Sequence, residues 1–128
     1  MGTLSGKRAW ITGAGTGLGA ASAVALAESG AEIVLTGRRV GPLGEIAAEV
    51  EAVGGTAEVL PLDVSDRDAV AEAAGKLGQI DILFANAGLN VPKRSLSDLA
   101  TADWDTVVSV NLNGVLYAIQ AVLPWMRA

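Results

Sequence analysis

The sequence contains neither cysteine nor histidine. Without cysteine there is no disulfide framework, no thiolate zinc site and no cysteine nucleophile. Without histidine there is no Ser-His-Asp chemistry and no imidazole metal ligand. Charge is also scarce, at 18% of residues against 51% hydrophobic. A chain of 128 residues with that balance can bury a core, and its composition is not that of a disordered segment. It is expected to form one domain spanning residues 1–128. The 9 basic residues are outnumbered by 14 acidic ones, for a net charge of −5. That excess argues against nucleic acid and against anionic membrane surfaces as partners, although it leaves room for a local basic spot. Catalysis must then draw on Asp, Glu, Lys, Arg, Tyr, Ser or Asn, or on a bound cofactor.

A charge-free run from Ala9 to Ala27 follows Lys7 and Arg8. It has the outline of a signal peptide or membrane span. Its glycines and many alanines are weak drivers of insertion, and a strand-turn-helix reading explains them better. A soluble, cytoplasmic protein is expected.

A short apolar run followed by a helical stretch recurs along the chain. Arg8 to Thr12 (RAWIT), Glu32 to Thr36 (EIVLT), Thr56 to Leu62 and Asp81 to Phe84 (DILF) read as strands. Leu18 to Ser29 reads as a helix ended by Gly30, and a second runs from about Pro42 to Val53 and stops at Gly54-Gly55. Ser65 is placed to cap a third, with Asp66 and Asp68 at its positive end. A long helix runs from about Thr101 to the end, with a candidate interruption at Asn111 to Gly114. Such alternation predicts an α/β fold, a doubly wound parallel sheet of strand order 3-2-1-4.

The stretch ITGAGTGLG, Ile11 to Gly19, lies in the first strand-to-helix turn. Helix N-termini favour phosphate, through free N–H groups and the macrodipole, and side chains would block its approach. A glycine turn in this position is a dinucleotide-binding signature.

The spacing of Thr12-Gly13-Ala14-Gly15-Thr16-Gly17-Leu18-Gly19 is T-G-x-x-x-G-x-G. Together with Asp63-Val64, Asn86-Ala87-Gly88 and Asn111 in Val110-Asn111-Leu112-Asn113-Gly114, in that order, it resembles the short-chain dehydrogenase/reductase family over essentially the whole chain. The resemblance implies a Rossmann-fold oxidoreductase that exchanges hydride between a nicotinamide cofactor and a carbonyl/alcohol substrate. It implies that Gly13, Thr16, Gly17, Leu18 and Gly19 shape the pyrophosphate site. Asp63 and Val64 would meet the adenine, and Asn86, Ala87 and Gly88 would lie beside the cofactor ribose. The family often has a second asparagine where this chain has Ala85.

Arg38 and Arg39 stand where NAD-preferring folds place an acid, about 20 residues past the glycines. Guanidinium groups bind phosphate bidentately, so NADP(H) is expected rather than NAD. Many NADP-using relatives also carry a basic residue within the glycine turn, where this chain has Thr16.

Asn111 matches the asparagine of the family's Asn-Ser-Tyr-Lys catalytic set, whose implied role is to break the helix so that its main-chain carbonyl holds a proton-relay water. Tyr117 is not the family's tyrosine, because Ala121 stands where a Tyr-x-x-x-Lys motif requires lysine. The remaining members normally lie beyond the long helix. The resemblance therefore implies the N-terminal half of a longer enzyme, inactive alone, whose full-length form pairs as a homo-oligomer through the long helix and its successor. A non-catalytic dinucleotide-binding module and an inactive fragment are the alternatives. Trp104, Trp125, Leu116 and Tyr117 read as core or interface residues.

Overall fold

The computed structural model describes residues 2–128. The elements follow in the order β1 (Arg8–Thr12), α1 (Gly17–Glu28), β2 (Glu32–Thr36), α2 (Val40–Ala52), β3 (Ala57–Val59), α3 (Arg67–Leu77), β4 (Ile82–Ala85), α4 (Thr101–Val108) and α5 (Gly114–Arg127), with a π-helical turn at Ser109–Asn113 between the last two. The strands form one parallel sheet in the order β3-β2-β1-β4, as the alternating pattern predicts.

Side-chain alternation along β1 and β2 divides the core in two. Ala9, Ile11, Ile33 and Leu35 face α1 and α2, packing with Ala23, Ala27, Leu43, Ile46 and Val50. Trp10 and Val34 face the other way, toward Val70, Ala74 and Leu77 of α3 and Val122 of α5. Both faces of the central strands are covered, which is why those strands read as unbroken apolar runs. Burial of a large apolar side chain stabilises by about 1.5–3 kcal/mol. Trp10, the largest side chain in the core, is fully buried.

The boundaries differ from the sequence expectation in ways that have local causes. α2 begins at Val40, so Pro42 is its third residue, still within the first turn where no intrahelical donor is needed. Ser65 does not cap α3. Asp66 does, its Oδ1 accepting from the Ala69 N–H at 3.1 Å, while the Ser65 hydroxyl is drawn back to Asp63. Regular strand pairing in β3 covers only Ala57–Val59 of the expected Thr56 to Leu62. Two further bonds, from the Leu60 N–H to the Leu35 carbonyl and from the Leu62 N–H to the Gly37 carbonyl, carry the edge onward. Gly30 ends α1 with φ +100°, the left-handed stop expected of it.

The charge-free run Ala9–Ala27 folds as β1, the glycine turn and α1 rather than as one helix. The helical stretch Thr101–Arg127 has the length and apolar character of a membrane span, but Gly114, Ala118 and Val122 pack inward. Trp104, Trp125 and Leu116 are not core residues, because they sit on the outward side of this stretch and are exposed, as are Ile119, Leu123 and Met126. Tyr117 instead packs partly buried against the core around Trp10.

Candidate nucleotide-binding site

The segments singled out after β1, β2, β3 and β4 converge on the carboxyl-terminal edge of the sheet. In parallel α/β sheets the ligand crevice opens there, where the chain winds away on either side of the first strand. Neighbouring β1 and β2 end in register at Thr12 and Thr36, and β4 ends beside them at Ala85.

The turn from β1 to α1 is built from main chain packed on main chain. A Cβ on Gly13 would lie 2.8 Å from the Ala87 Cα, and φ there is +63°, in the left-handed region. A Cβ on Gly19 would collide with the Gly13 carbonyl oxygen and with the Asn86 Nδ2. These two glycines are therefore required by the protein's own packing. Gly17 differs: its φ is +59°, and nothing lies within 4 Å of where its Cβ would be. Thr16, Gly17 and Leu18 form the open lip. Thr16 occupies the N-cap position with extended backbone but makes no capping bond through its side chain, and no acid lies in the first turn of α1. The positive end of that helix is left facing the lip.

The exit of β2 supplies Gly37, Arg38 and Arg39. Both arginines are exposed, and neither has a carboxylate within 4.0 Å among the described residues. They line a cleft of about 240 Å³ together with Gly13, Gly15, Thr16, Pro42, Asn86 and Gly88. An adjoining cleft of about 110 Å³ also contains Arg38, and its other walls include Asp63, Val64, Ala87, Gly88 and Val110. Residues far apart in sequence thus meet in one pair of hollows.

After β3, the Asp63 carboxylate accepts from the Ser65 hydroxyl at 2.7 Å and from the Ser65 N–H at 3.0 Å. These bonds, hydroxyl first, hold its pKa below the ordinary 3.8, with Arg38 adding to the effect and burial opposing it. Asp63 thus organises the turn before α3, and it also borders the cleft. Val64 is buried beneath the start of α5, where a Cβ on Gly114 would come within 2.7 Å of the Val64 Cγ2.

After β4, Asn86 and Ala87 are fixed by a residue to which the sequence assigned no role. The hydroxyl of Thr12, buried at the end of β1, accepts from both of their N–H groups at 3.0 Å. Asn86 reaches back through Nδ2 to the Gly13 carbonyl at 3.3 Å. The available signal was a threonine at the last position of β1, after the apolar run Ala9 to Ile11 and immediately before the glycine turn. Asn111 lies in the π-helical turn, so the helix is interrupted as expected, over Ser109–Asn113. Its side chain does not point freely to solvent. It is committed to the main chain of Leu89, donating at 2.9 Å and accepting at 2.8 Å.

The sequence model described as short chain dehydrogenase matches residues 7–128. The chain belongs to the short-chain dehydrogenase/reductase family. An uncharacterized oxidoreductase of Listeria innocua is 40% identical over 126 residues, covering 95% of this chain and 50% of that protein. The solved structure of a metagenomic short-chain oxidoreductase in complex with NADP superposes with a TM-score of 0.92 at 38% identity, covering 96% of this chain and 57% of the other. NAD⁺-bound xylitol dehydrogenase gives the same TM-score at 31% identity, covering 97% and 49%. The chain spans about half the length of the curated relatives it matches.

For a short-chain dehydrogenase/reductase, the cleft residues fit a nicotinamide dinucleotide. Nothing lies within 4 Å of where a Gly17 Cβ would be, and Thr16 beside it shares a cleft with Arg38 and Arg39, which have no carboxylate within 4.0 Å among the described residues. Asn111 is the position that resembles the asparagine of the family's catalytic set. Their single tyrosine, Tyr117, is followed four residues later by alanine and packs against the core.

Proposed function

We propose that this protein is an NADP(H)-dependent oxidoreductase acting on a carbonyl/alcohol pair, and that residues 1–128 provide its cofactor-binding part. The bound nicotinamide would supply hydride exchange with the substrate carbon. The chain's own residues bind and orient. The lip Thr16-Gly17-Leu18 receives the diphosphate at the positive end of α1. Asp63 and Val64 flank the adenine, and Asn86 to Gly88 flank the ribose. Asn111 holds Leu89, and so the loop after β4, against the π-helical turn.

The observation that carries the choice of NADP(H) is the Arg38-Arg39 pair. The two side chains line the same cleft as Gly13, Gly15 and Thr16 of the glycine turn, without carboxylate partners among the described residues, where an acid would otherwise meet a 2′-hydroxyl. A 2′-phosphate offers them bidentate, charge-assisted bonds. NADPH should bind at least about tenfold more tightly than NADH, as expected for one such charged contact. Arg38→Asp should narrow or reverse that preference in a calorimetric titration. Equal affinity of the unsubstituted protein for the two coenzymes refutes the assignment.

A second reading is a dinucleotide-binding module without turnover, and it is tested by what residues 1–128, which contain no Tyr-x-x-x-Lys, do by themselves. A general acid/base contributes about 10²–10⁴-fold. A polypeptide of these residues alone should therefore bind coenzyme without oxidising alcohols. Robust turnover by that polypeptide would show that the proton-transfer group had been misplaced.

A further inference from the structure

We propose that Trp10, acting through Thr36, is a positioning residue for the adenosine end of the nucleotide site; the inference rests on the dinucleotide reading above. Trp10 is fully buried, among Val34, Val70, Leu77, Ile80 and Val122. An aliphatic residue would satisfy that environment. The indole adds one N–H, which must find an acceptor where no water reaches. It donates to the Thr36 Oγ1 at 2.8 Å, and the Thr36 hydroxyl donates to the Leu60 carbonyl at 2.9 Å. The chain of bonds runs from β1 across β2 to the segment leaving β3. Its direction is set by chemistry. Indole is a donor only, so it takes an acceptor side of the hydroxyl and leaves the single hydroxyl proton for Leu60.

The location makes this more than core satisfaction. Thr36 is the last residue of β2, directly before Gly37 and Arg38. Leu60 lies just past the regular end of β3, two residues before the Leu62-Asp63-Val64 wall of the cleft. Beyond β3, that wall is joined to the β2 strand and its exit by two main-chain bonds, Leu60 N–H to Leu35 and Leu62 N–H to Gly37. The hydroxyl bond is a third link at the same point. The main-chain carbonyl of Thr36 also accepts from the Ala14 N–H at 3.0 Å, which ties in the glycine turn. One residue, oriented by Trp10, therefore registers three walls of the site: the turn after β1, the arginine segment after β2, and the Asp63-Val64 segment after β3.

The test uses the intact protein and two adenosine fragments, 5′-AMP and 2′,5′-ADP, measured by titration calorimetry well below the melting temperature. Thr36→Val keeps the shape and removes the relay, Trp10→Phe removes the N–H, and Thr36→Ser retains the hydroxyl. The first two should weaken both fragments by a similar factor, about three- to tenfold for a lost buried hydrogen bond, and Thr36→Ser should bind like the parent. In the parent, the slowly exchanging indole N–H resonance of Trp10 should shift on addition of 5′-AMP. That readout needs no variant to fold. Parent-like binding in folded Thr36→Val, or an indole resonance unmoved by bound nucleotide, overturns the proposal. A parent that binds 5′-AMP and 2′,5′-ADP equally overturns the NADP(H) assignment alone, with the positioning role still read on 5′-AMP. A parent that binds neither overturns both.

Discussion

Asn111 and the main chain of Leu89, 22 residues earlier, are joined by a reciprocal pair of hydrogen bonds, Oδ1 accepting the Leu89 N–H at 2.8 Å and Nδ2 donating to its carbonyl at 2.9 Å. An amide side chain carries a separate donor and acceptor, so it can answer both main-chain groups of one residue at once. The bond pair fastens the loop after β4 to the π-helical turn Ser109–Asn113 and leaves that side chain committed to structure. Whatever Asn111 does for substrate or solvent must then be done by its main chain.

Asn111→Ala removes both bonds at an exposed position, so the cost should lie near the lower end, about 1 kcal/mol for the pair. Asn111→Asp keeps the acceptor and loses the donor, and should fall between. Amide hydrogen exchange at Leu89 reads the effect directly. It should accelerate in both variants, more in alanine, and unchanged protection would show that other contacts hold the loop.

Gly19→Ala places a methyl group against the Gly13 carbonyl oxygen and the Asn86 amide, both part of the site's frame. Backbone must move to admit it, at a cost of about 1–3 kcal/mol as for other overpacked sites. Coenzyme affinity should fall with stability, because the displaced turn is the one proposed to receive the diphosphate. Gly17→Ala separates the two effects. It meets no neighbour, but its φ of +59° disfavours any side chain. Thermal melts with and without coenzyme should show Gly19→Ala destabilised by the larger amount in its absence.

Ser65→Ala should raise the Asp63 pKa toward its ordinary value of 3.8, since the Ser65 hydroxyl is the largest cause holding it down. Because the folded-state pKa is depressed, the associated stability is present above the unfolded value and is lost as pH falls through the folded one. The parent should therefore lose stability on acidification below about pH 4, the unfolded carboxylate value, and Ser65→Ala should show a weaker pH dependence there. A carbonyl-carbon NMR titration of Asp63 gives the direction of the shift, and an unmoved pKa would place the cause elsewhere.

Much of this architecture is visible in the residues themselves because the determinants are local. Glu32 to Thr36 reads as a strand and is one, since Ile33, Val34 and Thr36 are β-branched and Ile33 to Leu35 is an unbroken apolar run. Gly30 ends α1 because the left-handed conformation there suits glycine alone. Boundaries were less legible where two polar groups compete for one partner. Ser65 and Asp66 are both good caps, and only the folded turn shows Asp63 capturing the serine.

The succession of strands and helices, the dinucleotide-type turn and the arginines after β2 were thus written in the chain, because periodicity and turn chemistry act over a few residues at a time. Tertiary structure decided which glycines serve the protein and which stay open to a ligand, that the Thr12 hydroxyl holds Asn86 and Ala87, that Asn111 is spent on Leu89, and that Trp10 reaches Leu60 through Thr36. Each of these joins residues on different elements. Distance in space, unlike pattern along a chain, exists only once the sheet has closed.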